Sequence, residues 1–341
     1  MFNNKTILVT GGTGSFGQAF VKKILKKYKP KKVIIFSRDE LKQYEMQNHD
    51  DFVGFGSNGK NVVRYFIGDI RDRQRLDIAL KNNVDYVIHA AALKQVPTAE
   101  YNPFEVVKTN IIGAQNLIET CISNRVKTVI ALSTDKAAAP INLYGASKLA
   151  SDKIFIAANN YAGPNKTQFS VVRYGNVFGS RGSVAPFFLK QKNKGYLTIT
   201  DKNMTRFNIT LNEGVDFVIN SISKMKGGEI FIPKIPSFRV IDLAKAFGKN
   251  LKIKYIGVRP GEKIHEEMIT NSDSMNTLEF KNYFLILNDV NDYLRKNKNY
   301  LHKYIGKYKK TKKPFSYNSL ENNKFLKISE LKQLISNLES Q

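Results

Sequence analysis

Two short stretches in the first half of the chain carry side chains that can move protons. Asp135 and Lys136 are neighbours, and Tyr144 and Lys148 follow with the i, i+4 spacing of one helix face. That spacing places the Lys148 ammonium about 6 Å along the helix axis from Tyr144, where it favours the tyrosinate. Such a tyrosine can accept the proton of a hydroxyl while a nicotinamide cofactor accepts hydride from the same carbon. Alone, Tyr-x-x-x-Lys is also typical of an ordinary amphipathic helix pair.

A glycine-rich motif near the start of the chain supplies the context that this pair needs. Residues 10–17 read TGGTGSFG, after an apolar run and before a helical pattern at Gln18–Tyr28. Glycines allow a tight turn and let backbone amides approach a pyrophosphate, whose charge the helix N-terminus stabilises. The motif therefore predicts a dinucleotide site. Its predicted cofactor-binding residues are Gly11, Thr13, Gly14, Ser15, Phe16 and Gly17.

The end of the second predicted strand indicates which dinucleotide binds. An NAD site usually places an acidic residue here for the ribose 2′-hydroxyl, about 20 residues after the glycines. In this chain Ser37 and Arg38 come first, and Lys42 lies within one further helical turn. A hydroxyl and two cations suit a 2′-phosphate, so we expect NADP(H) rather than NAD(H). Asp39 belongs to the same predicted site and is also expected to cap the next helix.

The ends of the third and fourth predicted strands complete the cofactor prediction. Asp69 and Ile70 stand where a fold of this kind contacts adenine. Ala90 and Ala91 have small side chains, which leave room for the cofactor. His89, just before them, is expected to be a core histidine rather than a catalyst.

The elements that must position these groups are apolar runs that alternate with segments long enough for crossover helices. Continuous Val/Ile runs are typical of strands covered on both faces. We therefore predict an α/β fold with a Rossmann-type, doubly wound parallel sheet and a smaller C-terminal substrate-binding lobe. Ligands bind at the carboxyl ends of such strands, which is where Asp135 stands. The predicted strands are Lys5–Thr10, Lys32–Ser37, Val62–Ile67, Val84–Ala90, Thr128–Ser133 and Phe169–Arg173.

Changes of pattern divide the chain into three parts. Residues 1–178 are predicted to form the cofactor domain, with part of 211–248 returning to it, and residues 179–290 to form mainly the substrate-binding lobe. Residues 291–341 are expected to wrap around the domain, and Ser329 is expected to cap a terminal helix. The apolar stripe of that helix is Leu331, Leu334, Ile335 and Leu338.

Composition narrows the class of protein. The formal charge of +25 would suit nucleic acid, but the lysines are spread along the chain among asparagines, and a positive field equally suits an acidic phosphosugar. A single cysteine, Cys121, excludes an internal disulfide framework, and four scattered histidines offer no metal-ligand spacing, so we predict no metal. With no apolar run of about 18 residues and no signal-peptide pattern, we expect a cytoplasmic protein without membrane or nucleic-acid partners.

Over nearly its whole length the sequence resembles the extended short-chain dehydrogenase/reductase family, through residues 10–17 and 144–148. Within that family it is similar to the inverting UDP-N-acetylglucosamine 4,6-dehydratases of the pseudaminic acid pathway. The stretches that carry this second resemblance are 37–42 (SRDELK), 90–94 (AAALK), 132–137 (LSTDKA), 173–177 (RYGNV), 180–183 (SRGS), 204–207 (MTRF) and 259–263 (RPGEK).

The resemblance implies a reaction in which the sugar is oxidised at C4, loses water across C5 and C6, and receives hydride back at C6 with inversion at C5. Asp135 would protonate the departing C6 hydroxyl. Lys136 would remove the C5 proton and later reprotonate C5 from the other face. These roles need a raised pKa for Asp135 and a depressed pKa for Lys136. An Asp-Lys ion pair that merely caps a loop would instead leave an oxidoreductase or epimerase.

The resemblance also extends the list of binding residues. To the cofactor site it adds Lys94, Thr109 and Val177, beside Tyr144 and Lys148. Guanidinium groups suit a UDP diphosphate, and polar side chains suit uridine and the sugar. The expected substrate-binding residues are Lys94, Thr134, Asn176, Arg181, Val184, Arg206, Arg259 and Glu262. A homo-oligomer is implied, with a hexamer as one option, together with a role in flagellin glycosylation, capsule or lipopolysaccharide synthesis.

Three positions depart from the family pattern, and two other functions stay open. Gln95 stands where histidine is usual, Ala139 where asparagine is usual, and Asn208 where an aromatic residue is usual. The first alternative is a UDP-sugar C4 or C5 epimerase of the same fold, although related enzymes that also epimerise at C5 often lack a tyrosine at the position of Tyr144. The second alternative is a noncatalytic NADP-binding or nucleic-acid-binding protein.

Overall fold

A ten-stranded sheet forms the centre of the computed structural model, which describes residues 1–53, 61–163, 167–180, 182–248, 250–287, 308–311 and 314–340. Its parallel strands are β1 (Thr6–Thr10), β2 (Lys32–Ser37), β3 (Val63–Ile67), β4 (Tyr86–His89), β5 (Thr128–Thr134), β6 (Gln168–Tyr174) and β10 (Glu229–Pro233). They lie in the order β3-β2-β1-β4-β5-β6-β10. The predicted doubly wound sheet is confirmed, and its six predicted strands are found to within two residues at each end.

Helices cover both faces of the sheet. They are α1 (Ser15–Lys27), α2 (Glu40–Gln47), α3 (Arg73–Leu80), α4 (Val96–Tyr101), α5 (Pro103–Val107), α6 (Gly113–Ser123), α7 (Leu143–Ala157) and α9 (Leu211–Lys224). Successive side chains of a strand point to opposite faces, so Ile7 packs in one core with Ile24 of α1, while Leu8 packs in the other with Leu117 of α6. All four side chains are fully buried. Burial on both faces explains the continuous apolar runs in the sequence.

Three antiparallel strands extend the sheet beyond β10. These are β14 (Thr277–Glu279), β15 (Tyr283–Leu287) and β16 (Lys309–Lys310), in the order β10-β15-β14-β16. Residues 179–290 were predicted to form mainly the substrate-binding lobe, and two strands of this range, β14 and β15, lie in the central sheet. The three-part division of the chain otherwise stays a prediction.

A second group of elements lies over the carboxyl ends of the parallel strands. It contains β7 (Asn176–Val177), β8 (Tyr196–Ile199), β9 (Thr205–Ile209), β11 (Ser237–Arg239), β12 (Lys252–Tyr255), α8 (Val184–Lys192) and α10 (Val240–Phe247). β9 pairs with both β7 and β11, and β8 pairs with β12. Further along the chain, β13 (Glu267–Ile269) precedes α11 (Asn271–Ser274) and pairs with β17 (Tyr317–Asn318). A separate apolar core holds α8 and α10 together.

The terminal helix, α12 (Ile328–Glu339), packs into that separate core through Leu331 and Ile335. The predicted cap was wrong, because Lys327 occupies the N-cap position and its amide donates to the Glu330 carboxylate at 2.8 Å. Ser329 lies inside the helix. Residues 291–307 of the predicted wrapping segment lie outside the described residues. No helix in the described part of the chain is long and apolar enough to cross a membrane.

Candidate active site

A cavity of about 970 Å³ runs from the glycine motif after β1 to the loops beyond β5 and β6. It lies at the carboxyl ends of the parallel strands, where an open α/β sheet binds its ligands. Every predicted catalytic, cofactor-binding and substrate-binding residue in the described part of the chain lines this cavity. Arg181 lies outside the described residues. The structure therefore brings the predicted residues together, while their individual roles stay predictions.

The glycine motif forms a close-packed cradle at one end of the cavity. Gly11 has a φ of +64°, in the left-handed region, and a Cβ there would lie 2.9 Å from the Ala91 nitrogen. A Cβ on Gly17 would lie 2.5 Å from the Gly12 backbone. Helix α1 starts at Ser15 rather than at Gln18 as predicted, so the first amides of the helix belong to the motif itself. Those amides have no partner within the helix and suit an anion.

The end of β2 carries the groups expected to choose the cofactor, and acidic neighbours contact them. Arg38 is largely exposed, with Nη1 3.7 Å from Oδ2 of Asp69. Asp39 caps α2 as predicted, accepting from the Lys42 amide at 3.0 Å, and its other oxygen contacts the Lys42 ammonium. The Ser37 hydroxyl lies 2.8 Å from that of Thr13. The cations face the cavity with their charge partly offset.

A π-helical turn at Lys108–Ile112 brings Thr109 to the wall of the cavity. Such turns often occur at functional sites. The Thr109 Oγ1 is buried and has no hydrogen-bond partner among the described residues. A buried hydroxyl without a partner is costly, so it marks a position where a ligand can donate or accept. Together with the glycine cradle, this orphan hydroxyl fits a dinucleotide in the cavity.

The proton-moving groups form a buried cluster just beyond β5. Asp135 is 1% exposed, and its Oδ1 accepts from Thr134 Oγ1 at 2.9 Å and from Lys136 Nζ at 3.1 Å. Its other oxygen, Oδ2, has no partner among the described residues. Lys136 Nζ also lies 3.0 Å from Oε1 of Glu266, a residue that the sequence analysis did not select. One ammonium thus sits between two buried carboxyl groups.

These contacts set the pKa values in the cluster. Burial raises the pKa of Asp135, and the nearby Glu266 raises it further, although Lys136 opposes both. This raised pKa agrees with the expectation for a general acid. Burial alone would lower the pKa of Lys136, but the carboxylates of Asp135 and Glu266 outweigh burial and raise it. The predicted depressed pKa of Lys136 was therefore wrong, because Asp135 is joined by a second counter-charge, Glu266, which the local sequence does not reveal.

Tyr144 and Lys148 lie on α7, which begins at Leu143 with Asn142 as its N-cap residue. Burial raises the pKa of Tyr144 to about 12, and the strongest opposing contributions come from Lys136 and the Thr134 hydroxyl rather than from Lys148. Burial lowers the pKa of Lys148. The expected stabilisation of the tyrosinate by Lys148 is therefore not the main effect in this structure.

A buried ionic network lies beneath Lys148 and was also missed. Asp152 Oδ2 accepts from Ser133 Oγ at 2.7 Å and from Arg173 Nη2 at 3.3 Å. Arg173 is 1% exposed and also pairs with Asp273 at 3.3 Å. Its charge compensates Asp152, which would otherwise be a buried and uncompensated anion. His89 is a buried core residue as expected, and burial together with Lys148 lowers its pKa to about 3.

Residues 259–266 connect the second group of elements to the loop that follows Asp135 and Lys136. The Asn142 side chain donates to the Gly261 carbonyl at 2.7 Å, and Lys263 Nζ donates to the Ala138 carbonyl at 2.7 Å. Arg206 Nη1 donates to the Ile264 carbonyl at 2.9 Å, and its Nη2 donates to that of Lys263 at 2.9 Å. Arg206 therefore uses much of its donor capacity inside the protein, which leaves little for the diphosphate it was predicted to bind.

The remaining predicted substrate residues line the far end of the cavity. Asn176 Oδ1 is buried without a partner among the described residues, and so is Oδ1 of Asn208, its register partner in the β7–β9 pair. Arg259 is exposed, while the Glu262 carboxylate accepts from Thr200 at 3.4 Å. Lys94, Thr134 and Val184, the other members of the set, also line the cavity, with Thr134 beside Asp135.

Two of the departures from the family pattern have visible consequences. Ala139 has a φ of +42°, in the left-handed region that asparagine adopts more readily than alanine. Gln95 lies close to Gly182, where an added Cβ would be 2.7 Å from the Gln95 Nε2. In the described part of the chain, no three His, Cys, Asp or Glu side chains are grouped so that they could hold a metal ion.

A glycine cradle in the first βα turn, with a tyrosine and a lysine one helical turn apart beside a fifth-strand acid, defines an extended short-chain dehydrogenase/reductase. More specifically, the chain belongs to the family of polysaccharide biosynthesis proteins, whose sequence profile matches residues 7–288. It is 54% identical to the "UDP-N-acetylglucosamine 4,6-dehydratase (inverting)" of Campylobacter jejuni, over 99% of both chains. The resemblance described from the sequence is thereby confirmed.

Two further relatives place the chain within the family. The "UDP-glucose 4-epimerase" of Rickettsia typhi is 41% identical, over 99% of this chain and 97% of that protein. The crystal structure of Pen from Bacillus thuringiensis superposes with a TM-score of 0.88 and 37% identity, covering 100% of both chains. The fold and the family are therefore supported along the entire chain.

Proposed function

We propose that this chain is an inverting UDP-N-acetylglucosamine 4,6-dehydratase with NADP(H) as its cofactor. The observation that carries the proposal is the buried Asp135–Lys136 pair, which lies in the same cavity as Tyr144 and the glycine cradle. A simple oxidoreductase needs the tyrosine and the cradle but no second acid-base pair. The full-length relative from Campylobacter jejuni, which carries this activity in its name, supports the same reading.

A bound nicotinamide cofactor would supply the hydride acceptor for oxidation at C4 and the hydride donor for reduction at C6. The side chains of the protein then transfer the protons. Tyr144 accepts the proton of the C4 hydroxyl, and Asp135 donates a proton to the departing C6 hydroxyl. The raised pKa of Asp135 favours the protonated form that this role needs. Lys136 takes the C5 proton, which the C4 ketone makes acidic, and returns a proton to the opposite face.

The preference for NADP(H) rests on the groups around the end of β2. Arg38 lines the cavity. Among the described residues, Asp69 is the only charged residue at ion-pair distance from Arg38, 3.7 Å away. A 2′-phosphate would offer Arg38 a bidentate partner at closer range, and the Ser37 hydroxyl could donate to it. We therefore assign the 2′-phosphate to these two residues. Lys42 adds positive charge, part of which Asp39 offsets.

Substrate contacts are proposed for the groups at the far end of the cavity. Asn176 and Arg259 suit a uridine and a diphosphate respectively, and Lys94 and Glu262 line the same cavity. The wider assignments follow from the family resemblance alone. They are pseudaminic acid-type sugar synthesis with flagellin glycosylation as its outlet, a cytoplasmic location and a homo-oligomeric state, all of which stay predictions.

The competing function is a UDP-sugar epimerase, which the 41% identical Rickettsia typhi protein brings into consideration. A C4 epimerase expels no water and has no use for a general acid of raised pKa beside a lysine. The test incubates the purified protein with UDP-N-acetylglucosamine in deuterated water and follows the sugar by NMR and mass spectrometry. We expect a product that has lost one water and carries one deuteron from solvent at an inverted C5. A product of unchanged mass with a changed stereocentre would make the protein an epimerase.

A noncatalytic role is the remaining alternative, motivated by the formal charge of +25. In that case a protein that carries cofactor would leave the sugar unchanged, and it would bind DNA with an affinity that falls steeply with salt. We expect turnover of the sugar and no such binding.

A further inference from the structure

Glu266 has the features of a working acid-base group that the scheme above does not use. It stands directly before β13, lines the cavity, and is 1% exposed. Its Oε1 lies 3.0 Å from Lys136 Nζ and 3.7 Å from Arg206 Nε. Its Oε2 is buried with no hydrogen-bond partner among the described residues. One carboxylate oxygen is thus engaged with the base, while the other is left open.

The contacts of Lys136 raise a difficulty for its role as a base. Only the neutral amine has a lone pair to take the C5 proton, yet Nζ sits between Asp135 Oδ1 at 3.1 Å and Glu266 Oε1 at 3.0 Å. The Glu266 carboxylate at that range holds the side chain as an ammonium, and Asp135 adds to this whenever it is ionised. Before it can act, Lys136 must lose a proton to some acceptor. Asp135 is a poor choice, because it must itself carry a proton for the departing hydroxyl.

We propose that Glu266 is a positioning residue for Lys136, which receives the lysine's proton and so converts its ammonium to the amine that attacks C5–H. This inference rests on the proposed dehydratase function. In the step, an N–H bond of Lys136 Nζ breaks, an O–H bond forms at Glu266 Oε1, and the electron pair stays on nitrogen. The amine then takes the C5 proton, and the C5–H electrons pass into the enolate of the C4 ketone. No electron leaves or enters from outside.

The surroundings of Glu266 determine when this transfer is favourable. Burial disfavours its charged form, whereas Lys136, Arg206 and Lys263 favour the carboxylate and keep its pKa below the usual value. Substrate that fills the cavity expels water. In a site with less water, a neutral amine and a neutral carboxylic acid become more stable relative to an ion pair. Glu266 also raises the pKa of Asp135. The same residue therefore helps the acid to keep its proton and offers the base an acceptor for its own.

The test compares Glu266→Gln and Glu266→Asp with the wild-type protein. Glutamine keeps the shape and an acceptor oxygen but cannot take a proton. For Glu266→Gln we expect kcat for dehydration to fall about 100- to 10,000-fold with KM little changed. The ammonium must then lose its proton to solvent, so kcat of this variant should rise about tenfold per pH unit, a rise that the wild type lacks. Glu266→Asp keeps a proton acceptor and should recover part of kcat without the steep rise.

The matched control is Glu267→Gln, which alters the adjacent carboxylate. Glu267 accepts from Ser316 Oγ at 2.6 Å and does not line the cavity, so wild-type kinetics are expected. Wild-type kcat in Glu266→Gln would overturn the inference. A reduced kcat with the wild-type pH profile would also overturn it, because a merely structural role lowers rate without changing the profile. If the wild type itself releases no water from the sugar, the proposed function has failed instead.

Discussion

The cofactor end and the reacting end of the cavity are assembled from different kinds of contact. At the cofactor end, one stretch of chain supplies the turn, the helix amides and the close packing, as Gly11 and Gly17 illustrate. At the reacting end, Asp135 and Lys136 follow β5, but Glu266 reaches Lys136 from a distant part of the chain, and Arg206 in turn contacts Glu266. A local motif therefore locates the reactive groups, whereas long-range contacts determine their charge.

The largest expected effect comes from removing the lysine at the reacting end. Lys136→Ala should lower dehydration about 1,000-fold or more, because both the C5 base and the donor that reprotonates C5 are lost. Cofactor content should stay at the wild-type level, since the cradle is built elsewhere. The measurement is turnover of UDP-N-acetylglucosamine by NMR, with the released cofactor measured by mass spectrometry.

Lys153→Ala is the control for this variant, because Lys153 is an exposed lysine on α7. It should behave as the wild type. Dehydration by Lys136→Ala at the wild-type rate would remove Lys136 from the mechanism. Loss of cofactor together with activity would mean that the two ends of the cavity are not independent, contrary to the comparison above.

At the cofactor end, Arg38→Ala should shift the choice of dinucleotide. If Arg38 contacts the 2′-phosphate, its loss weakens NADP+ binding about tenfold and leaves NAD+ binding nearly unchanged, since a charged hydrogen bond contributes about 1.5 kcal/mol. The measurement loads the protein with equal amounts of both dinucleotides and determines the bound ratio by mass spectrometry. Arg64→Ala, on β3, is the control. An unchanged ratio in Arg38→Ala would place the selecting group elsewhere.

The sequence predicted the cofactor end better than the reacting end for a physical reason. Strands buried on both faces and a glycine turn leave local patterns in the sequence. The bounds of β2 were therefore predicted as the structure has them, and the predicted residues of the glycine motif line the cavity. The charge of Lys136 depends on Glu266, and no periodicity or spacing connects the two. The one available signal was the position of Glu266 in a charged run directly after the family-like stretch 259–263.

Helix boundaries show the same division between local and distant information. Asp39 was correctly predicted as a cap, because an acidic N-cap is a local preference. Ser329 was not the cap, since α12 starts where Leu331 and Ile335 can reach the core formed by α8 and α10. The antiparallel strands β14 and β15 were missed for a similar reason, because the pairing of β15 with β10 and of β14 with β15 forms only in the folded sheet.

The link between the two parts of the molecule can be tested at Asn142. Its Oδ1 accepts from the Gly145 amide as the cap of α7, and its Nδ2 donates to the Gly261 carbonyl, both at 2.7 Å. Asn142→Ala should cost about 1 to 2 kcal/mol of stability, because the cap and the link are both lost. Asn142→Asp keeps the cap acceptor and should cost less. Both should raise KM for the sugar if the link positions residues 259–266.

Thermal unfolding and steady-state kinetics on the two Asn142 variants separate these contributions. If Asn142→Asp retained both the wild-type stability and the wild-type KM, the contact with Gly261 would have no part in holding the substrate site. An Asn142→Ala protein as stable as the wild type would show that neither contact matters for folding.

The smallest expected effect is a gain in stability at Ala139, where the chain departs from its family. The left-handed φ of +42° strains alanine by about 1 kcal/mol, and glycine relieves that strain while adding some entropy to the unfolded chain. Ala139→Gly should therefore be more stable by about 0.5 kcal/mol, which raises Tm by about 0.5 to 1 °C. Ala139→Asn should gain at least as much, because asparagine tolerates this conformation without the extra unfolded-state entropy.

Ala146→Gly is the matched control for this last prediction, and it should move Tm in the opposite direction. Ala146 is exposed on α7 with ordinary helical geometry, so glycine there costs about 1 kcal/mol. If Ala139→Gly lowered Tm as Ala146→Gly does, the strain at Ala139 would not be real. A gain in Tm with unchanged kinetics would show that the strained alanine beside the reacting end is not needed for turnover. A gain in Tm with slower turnover would instead assign the left-handed turn a part in holding Asp135 and Lys136 in place.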